Sequence, residues 1–411
     1  MAVQGGPAMN VVVDTSPGAQ VEGGSAIPVA VVTGRAVTGN KATRVVVVSN
    51  PDRIEGGPAI PVVAAPAGDP VEGGPAMRVY VVSGSLASGP SAPVNTALPT
   101  ISGTGAMLSA TTGSWSNSPT SYAYQWKRNG ANIGGATGNT YTIGPSDIGA
   151  TLTVTVTATN AAGSASATSA GSTLTYTQKV LATALANLIG YWPLADNSGT
   201  TATDESGNSR NGSYNNVTLG QTGIGDGRTG VLFAPASSSY VNLYTAGLAG
   251  AFNGAAGTLF CWMQVRAASV WTDGTFRRIF LAQESFASNF VGFARDGGNN
   301  NLNYTYRAGG VTNGFVLASN GGGAGQTGWQ PIAITWDKAV DQVKCYWRGS
   351  QLGSTGTGLG IWSGAPKAAS TCLATASTAA PSALWDGAIA HAAIWTRALS
   401  AAEIATLSTP P

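Results

Sequence analysis

LIGYWPLADNSGTTATDESGNSRNG, residues 188–212, is the stretch from which the fold can be read. It opens as an apolar, aromatic strand pattern, passes a small polar turn, and reaches Asp204-Glu205-Ser206-Gly207-Asn208. Those five residues favour tight turns for separate reasons: short side chains that cap backbone amides, and tolerance of positive φ. The chain before this stretch has the composition of a stalk. The chain after it reads as the completion of one β domain.

Downstream, Val231-Leu232-Phe233 and Tyr240-Val241-Asn242-Leu243 flank a small polar turn as two sheet strands do. Residues 258–265, TLFCWMQV, form a continuous apolar run suited to a strand buried on both faces. Residues 329–337, WQPIAITWD, alternate and then turn into 342–350, QVKCYWRGS, as a hairpin partner. Residues 384–390 and 394–400 are the last strand-like segments. Ser400-Ala401-Ala402-Glu403 matches a capping box, which predicts a short terminal helix through about Leu407.

In order, YWPL, DESGNSRNG, SYVNL, TLFCWMQV, WQPIAITWD, VKCYWRGSQLGS and GAIAHAAIWTRALSAAEIATL resemble the laminin-G-like, concanavalin A-like jelly-roll superfamily. The resemblance implies two antiparallel sheets packed face to face over residues 188–411. It leaves function open, because that fold carries lectins, enzymes, calcium-dependent binders and plain spacers. Two departures matter. Ala390-His391 stands where family members often read Asp-Glu, and acidic residues across the domain are sparse. A Ca²⁺ site takes roughly six to eight oxygens, several of them from carboxylates. Asp204 and Asn208 are the candidate metal ligands; the competing reading, an Asx-type turn, is favoured by the scarcity of acids. No other cofactor is expected.

Composition narrows the class. A chain of 411 residues has room for two or three domains with real cores. Charged residues make up only 9% and 57 residues are glycine, which suits a turn-rich, extracellular-type, all-β structural protein better than a cytosolic enzyme. The net charge of +2 gives no electrostatic case for nucleic acid, and no apolar run approaches a membrane span. Cys261, Cys345 and Cys372 lack metal-ligand spacing. Cys261 reads as a small core residue, and a Cys345–Cys372 disulfide is left open. Met1-Ala2-Val3-Gln4-Gly5-Gly6 lacks the basic and apolar regions of a secretory signal. Beside an exported-looking composition, that leaves two expectations: assembly inside a cell with release on lysis, or a signal already trimmed.

Residues 1–85 hold an internal repeat. Units begin at Gly5, Gly23, Gly39, Gly56 and Gly73, and four of the five read GGPAMNV, GGSAIPV, GGPAIPV and GGPAMRV. Each is a Gly-rich turn followed by a short Val-rich strand. A unit of about 17 residues cannot bury a core alone, so the copies must stack on each other, on other subunits or on a partner surface. Pro28 and Pro61 join Pro7, Pro58 and Pro75 in blocking edge pairing. The module is read as an oligomeric anchor, plausibly trimeric, and its units resemble repeats near the N-termini of tailed-phage virion proteins. A flexible Gly/Pro linker is the competing reading; the β-branched runs count against it.

Residues 86–95 read as a linker and 96–176 as a second β unit. YQWKRNG, residues 124–130, Asp147-x-Gly149 and the alternating LTVTVTATN of residues 152–160 resemble bacterial and phage Ig-like domains, with Trp126 as the core tryptophan. Val154 stands where an antibody domain has a cysteine, so packing alone must hold this sandwich. Near-helical apolar spacing over residues 177–187 predicts a connecting helix.

Chemistry is sparse. His391 is the sole histidine, so a Ser-His-Asp triad could be built only around it, and a structural or surface role is expected. Jelly-roll glycosidases need a close carboxylate pair, whereas Asp273, Glu284 and Asp296 are isolated along the chain. Enzymatic activity is therefore not expected. Sugar sites stack aromatic rings on pyranose faces and ring them with amides and hydroxyls. Trp271, Trp362, Tyr304, Tyr306 and Asn301 are the candidate glycan contacts, against the reading that the aromatics are core and residues 299–301 a plain turn.

Together these readings give an all-β chain: an N-terminal short β-repeat module, an Ig-like β-sandwich and a C-terminal concanavalin A-like jelly roll. The resemblances imply a phage virion surface protein of capsid-decoration or head-fibre type. Residues 1–85 would contact capsid or other virion proteins, and the outer domains would make weak multivalent contacts with host-surface glycans. Its location is expected to be the virion surface, extracellular after lysis. A tail fibre or receptor-binding protein, and a secreted bacterial carbohydrate-binding adhesin, are the alternatives.

Overall fold

The computed structural model describes residues 90–297, 301–317 and 326–410. The repeat module of residues 1–85 lies outside the described residues. From residue 90 onward the chain belongs to one compact unit, all-β and antiparallel, with a few short helices.

Three small sheets come first. Strand β1 (Val94–Ala97) pairs with β4 (Ser114–Ser116); β2 (Ile101–Ser102), β3 (Met107–Ala110) and β7 (Thr140–Thr142) form a second sheet. The third has the order β6 (Ala131–Asn132), β5 (Ser121–Arg128), β8 (Leu152–Asn160), β9 (Gly163–Thr168). The alternation of β8 buries Leu152, Val154, Val156 and Ala158 while the threonines between them stay half-buried. Trp126 is fully buried opposite Val154, donates Nε1–H to the Gly138 carbonyl at 3.0 Å, and stacks on Tyr141. The buried Asp147 accepts from Tyr141 Oη (2.8 Å) and pairs with Arg128 (2.6 Å), which locks the turn before β8. One boundary moves: the segment read as a linker ends in a strand, since Val94 and Asn95 pair with Ser116 and Trp115.

Helix α1 (Tyr176–Ala182) follows, where a connecting helix is expected, with Thr175 and Gln178 forming a capping box. It is no free connector. Gln178 Nε2 reaches back to the Gly103 carbonyl (2.9 Å), and Lys179 Nζ forward to the Thr409 carbonyl (2.9 Å).

The jelly roll is two eight-stranded sheets. The first runs β13 (Thr218–Thr222), β14 (Thr229–Phe233), β25 (Gly387–Trp395), β16 (Ala256–Val265), β21 (Gln330–Asp337), β22 (Gln342–Trp347), β23 (Ser350–Gly356), with β10 (Leu188–Trp192) also on β25. The second runs β11 (Thr201–Ala202), β12 (Gly212–Asn215), β15 (Tyr240–Asn242), β24 (Thr371–Leu373), β17 (Arg277–Ser285), β18 (Asn289–Arg295), β19 (Leu302–Ala308), β20 (Val311–Leu317). A core containing Trp192, Phe233, Met263, Phe293 and Trp336 fills the space between them. The strands at 229–233 and 240–242 do not pair with each other: the Pro235–Ser237 turn carries the chain from the first sheet to the second.

The outer face of the first sheet is also sealed. Phe260, Trp262, Ala390 and Trp395 pack under α1 and under α3 (Ala401–Leu407), whose Ser400–Glu403 capping box matches expectation. This double burial is why β16 reads as a continuous apolar run; the segments read separately at 384–390 and 394–400 are one strand, β25. Tyr176, buried on α1, ties the seam: it accepts from Trp262 Nε1 (2.6 Å) and donates to the Leu407 carbonyl (2.5 Å). The outer face of the second sheet is buried along β17, β18 and β24 and partly exposed on β19 and β20.

Candidate functional site

Most residues chosen from sequence as glycan contacts are part of the core. Trp271 is 1% exposed, sits edge-on to Trp347 and donates Nε1–H to the Gln326 carbonyl at 2.9 Å. Tyr304 and Tyr306 point inward from β19, their hydroxyls held by the carbonyls of Tyr346 and Gly254. A ring enclosed in this way offers no face to a sugar, so these three assignments are corrected. The period-2 alternation of LNYTYRA does place a face outward, but it is the face of Asn303, Thr305 and Arg307. Trp362 is half-buried against Phe252 and Tyr306 and stays at the surface. Asn301 lies in the β18–β19 turn, its carbonyl accepting from Asp296 N at 2.7 Å.

Asp204 and Asn208 form a turn. Asp204 accepts from the backbone amides of Tyr191, Ser206 and Arg210 at 2.8–3.0 Å, and Asn208 Nδ2 donates to the Leu188 carbonyl and to Ser206 Oγ. With both carboxylate oxygens engaged by amides, this pair ties the start of β10 to the loop. Among the described residues no group of three or more acids, histidines or cysteines converges as a metal cluster would. The three cysteines are buried and unbonded. Cys345 faces the core between the sheets and Cys372 lies with Leu281 and Phe290, so no disulfide joins them.

His391 is buried completely, with φ +52°, where β25 bulges against Phe260 and Trp262. Its Nε2 lies 3.0 Å from the Asp226 carboxylate, and its Nδ1 2.7 Å from Tyr191 Oη, which is 3.2 Å from Thr177 Oγ1. Sequence reading missed the acidic neighbour because Asp226 arrives from the β13–β14 turn. Burial holds the imidazole below its usual pKa, with the Asp226 bond opposing. For Asp226 burial pushes upward, and the His391 contact together with backbone hydrogen bonds brings the carboxyl below its usual range. His391, Tyr191 and the Asp226 side chain are all buried, so this chain of groups locks β10, β25 and the β13–β14 turn together. The polar crevice nearby, about 90 Å³, is lined by groups that already satisfy one another: Arg228 pairs with Glu205 (2.8 Å), and Asp196 accepts from Thr203 and Tyr214.

The outer face of the second sheet differs. Register places three cross-strand rows on it: Arg278, Ala294 and Asn303; Cys372, Leu281, Gly292, Thr305 and Gly314; and Gln283, Phe290, Arg307 and Thr312. The middle row is closed to solvent at Cys372, Leu281 and Gly292 and reaches the surface only at Thr305 and Gly314. Gly292 is required there: the β17 bulge brings the Phe280 carbonyl into the space a Cβ would occupy. The guanidinium of Arg278 lies 4.9 Å from the ring centre of Phe276, 5.3 Å from Phe286 and 5.6 Å from Phe290; Arg307 shares Phe290. Phe276 and Phe286 are 40% and 42% exposed. Loop 361–370, which carries Trp362, borders this end of the face, with Asn289 Nδ2 donating to the Ser363 carbonyl. Arg278 Nε, Gln283 Oε1 and Asn303 Oδ1 are buried without a hydrogen bond inside the protein. Burial pulls the Arg278 guanidinium down to about 10, still a cation at neutral pH.

Residues 235–405 match the concanavalin A-like lectin/glucanases superfamily. The C-terminal jelly roll is therefore a domain of the concanavalin A-like lectin type. No curated protein matches the chain. Among solved structures, Domain 4 of AbnA, a GH43 extracellular arabinanase from Geobacillus stearothermophilus in complex with arabinotriose, is similar at 17% identity and TM-score 0.39, over 54% of this chain and 98% of that one. The botulinum neurotoxin serotype D binding domain is similar at 14% identity and TM-score 0.41, over 55% of this chain and 52% of that one. A Trypanosoma rangeli sialidase in complex with 2,3-difluorosialic acid is similar at 12% identity and TM-score 0.40, over 63% of this chain and 42% of that one. The chain thus spans about half the length of the toxin binding domain and less than half of the sialidase. These are likenesses of fold.

Proposed function

We propose that this protein is a non-enzymatic glycan-binding surface protein that uses the partly exposed outer face of the second jelly-roll sheet. The observation that carries this reading is a group at the surface of that face: Phe276 and Phe286, 40% and 42% exposed, around the Arg278 guanidinium, with the half-buried Asn303, Thr305 and Arg307 on β19. Exposed rings supply a stacking surface and the amide and guanidinium groups supply orientation. No carboxylate pair is available there for glycoside hydrolysis, since Asp273 is bound to Arg277 and Arg295, and Glu284 to Lys367 (2.9 Å).

In the same reading the protein is a phage virion component of capsid-decoration or head-fibre type, extracellular after lysis. The five-copy repeat of residues 1–85 anchors it and assembles it as a trimer, and the Ig-like unit is a spacer. The repeat and the low-charge composition support this. Weak single sites become useful when several are displayed together. The test applies the full chain to a glycan array with and without Ca²⁺, and measures its mass by light scattering. Retention on a set of glycans without Ca²⁺, by a trimer, is expected. A monomer that retains no glycan refutes the proposal.

A further inference from the structure

We propose that one end of the jelly roll is an apolar tip that enters the surface of a lipid bilayer through Val311, Val340 and Ile361. These side chains are 45%, 60% and 76% exposed. Each sits on a different turn: Val311 closes the β19–β20 hairpin, Val340 lies between β21 and β22, and Ile361 is in the loop after β23. Aliphatic chains have no ring face to stack on a pyranose, so the glycan reading above leaves them unexplained. One exposed aliphatic residue is ordinary on any protein surface; three brought together form a patch. The turns are joined through their backbones. Asp341 accepts from the amides of Gly358 (2.7 Å) and Leu359 (2.9 Å), and Lys338 Nζ donates to the Leu359 carbonyl, which ties the turn of Val340 to the loop of Ile361. That loop also lies against the β19–β20 turn, so closely that a Cβ on Gly360 would stand 3.2 Å from Val311 Cβ and collide with the Ala308 carbonyl.

Two properties favour a lipid surface over a polar partner. The first is that the turn amides already have acceptors. Besides Gly358 and Leu359, the amide of Gly309 donates to Asn289 Oδ1 (2.9 Å), Gly310 to the Ser288 carbonyl (3.0 Å), Ala339 to Asp337 Oδ1 (2.9 Å) and Asp341 to the Lys338 carbonyl (3.2 Å). Amides satisfied inside the protein lose little on leaving water, which is what backbone must meet to enter a bilayer. The second is charge. Lys338 and Asp341 are the charged residues of these three turns, and they pair with each other at 3.1 Å. The tip therefore carries no net charge to complement an acidic or a basic partner. A neutral, internally bonded, aliphatic tip complements the interface of a zwitterionic bilayer, where binding grows with the apolar area buried.

The chain lends itself to a direct test, because its three cysteines are all buried. Ile361→Cys then supplies the one accessible thiol. The full chain is labelled there with an environment-sensitive fluorophore and mixed with vesicles of phosphatidylcholine, or of phosphatidylcholine with phosphatidylglycerol. Val94→Cys, on β1 and 57% exposed, carries the label in a parallel sample. A blue shift at position 361 with both kinds of vesicle, insensitive to salt, is expected, with none at position 94. In the unlabelled chain, Ile361→Ser should weaken co-sedimentation with vesicles on the order of tenfold, the scale of one aliphatic side chain leaving water. Its melting temperature should not change, since so exposed a side chain has little packing to lose; Val340→Ser should behave alike. Absence of a shift on either vesicle overturns the proposal. Binding confined to phosphatidylglycerol vesicles and abolished by salt overturns it as well, since surface cations then make the contact. An oligomer in light scattering that Ile361→Ser dissociates overturns it in favour of a second copy covering the tip. The glycan array is read independently of all these outcomes.

Discussion

Replacing Tyr176 by Phe removes a single oxygen from the seam between the N-terminal sheets and the jelly roll. That oxygen serves two buried partners, the Trp262 indole N–H and the Leu407 carbonyl. The ring itself stays, packed 4.5 Å from His391 and edge-on to Trp262, so no cavity forms. The loss is therefore the desolvation of two unsatisfied groups, about 1–3 kcal/mol each. Relaxation at the end of α3 offsets part of it, giving a total of about 2–4 kcal/mol. Urea denaturation of the full chain followed by tryptophan fluorescence should show the midpoint fall with an unchanged slope. In a double-mutant cycle with Trp262→Phe, the two losses should overlap by about 1 kcal/mol or more, because both delete the same bond. A loss below about 0.5 kcal/mol, or strict additivity, would mean that water or a shifted neighbour satisfies these groups and that α1 is not the joint described here.

Three further outcomes follow from the same structure. Trp271→Ala should destabilise the jelly roll by about 3–5 kcal/mol while leaving glycan affinity per folded molecule unchanged, as expected for a core ring; calorimetry and array binding check the two halves separately. Asp204→Ala should lower stability through its three orphaned amides, and millimolar Ca²⁺ should leave the melting temperature of the parent protein unmoved; a Ca²⁺-dependent rise would restore the metal-ligand reading. His391 has a folded pKa depressed below its usual 6.5 by burial, so the folded state binds fewer protons than the unfolded chain. Its contribution is present above about pH 6.5 and lost as pH falls toward the folded pKa. His391→Asn, a residue that tolerates the positive φ there, should flatten the stability profile between pH 7 and 5.

Much of the fold was legible because period-2 patterns and turn chemistry report local geometry directly. The buried run of β16, the β21–β22 hairpin, the Ser400–Glu403 capping box and Trp126 all follow from residues close together in the chain, whereas the segments read as 384–390 and 394–400 are one strand, β25. What was misjudged depends on distant partners. An aromatic on an alternating strand has two faces to choose from, and only the opposite sheet decides which is inside: Tyr304 and Tyr306 went in, Thr305 and Arg307 out. Asp226 and His391 meet across the first sheet from segments that show no relation in sequence. The aromatic group around Arg278 escaped notice for the same reason: Phe276, Phe286 and Phe290 meet at one guanidinium only once β17 and β18 are paired.

The central place of β25 has a consequence for biosynthesis. It pairs with β10, β14 and β16, yet it is the last strand of the domain to leave the ribosome. Tyr191 and His391, in contact when folded, are 200 residues apart, a separation that takes about 10–40 s to translate at ~5–20 residues per second. Throughout that interval three apolar strands lack their shared partner and expose the edges that invite aggregation. The N-terminal sheets need nothing from downstream for their own pairing, so they can fold first and keep the nascent chain soluble. A message cut short before residue 387 leaves β10, β14 and β16 without the strand they share.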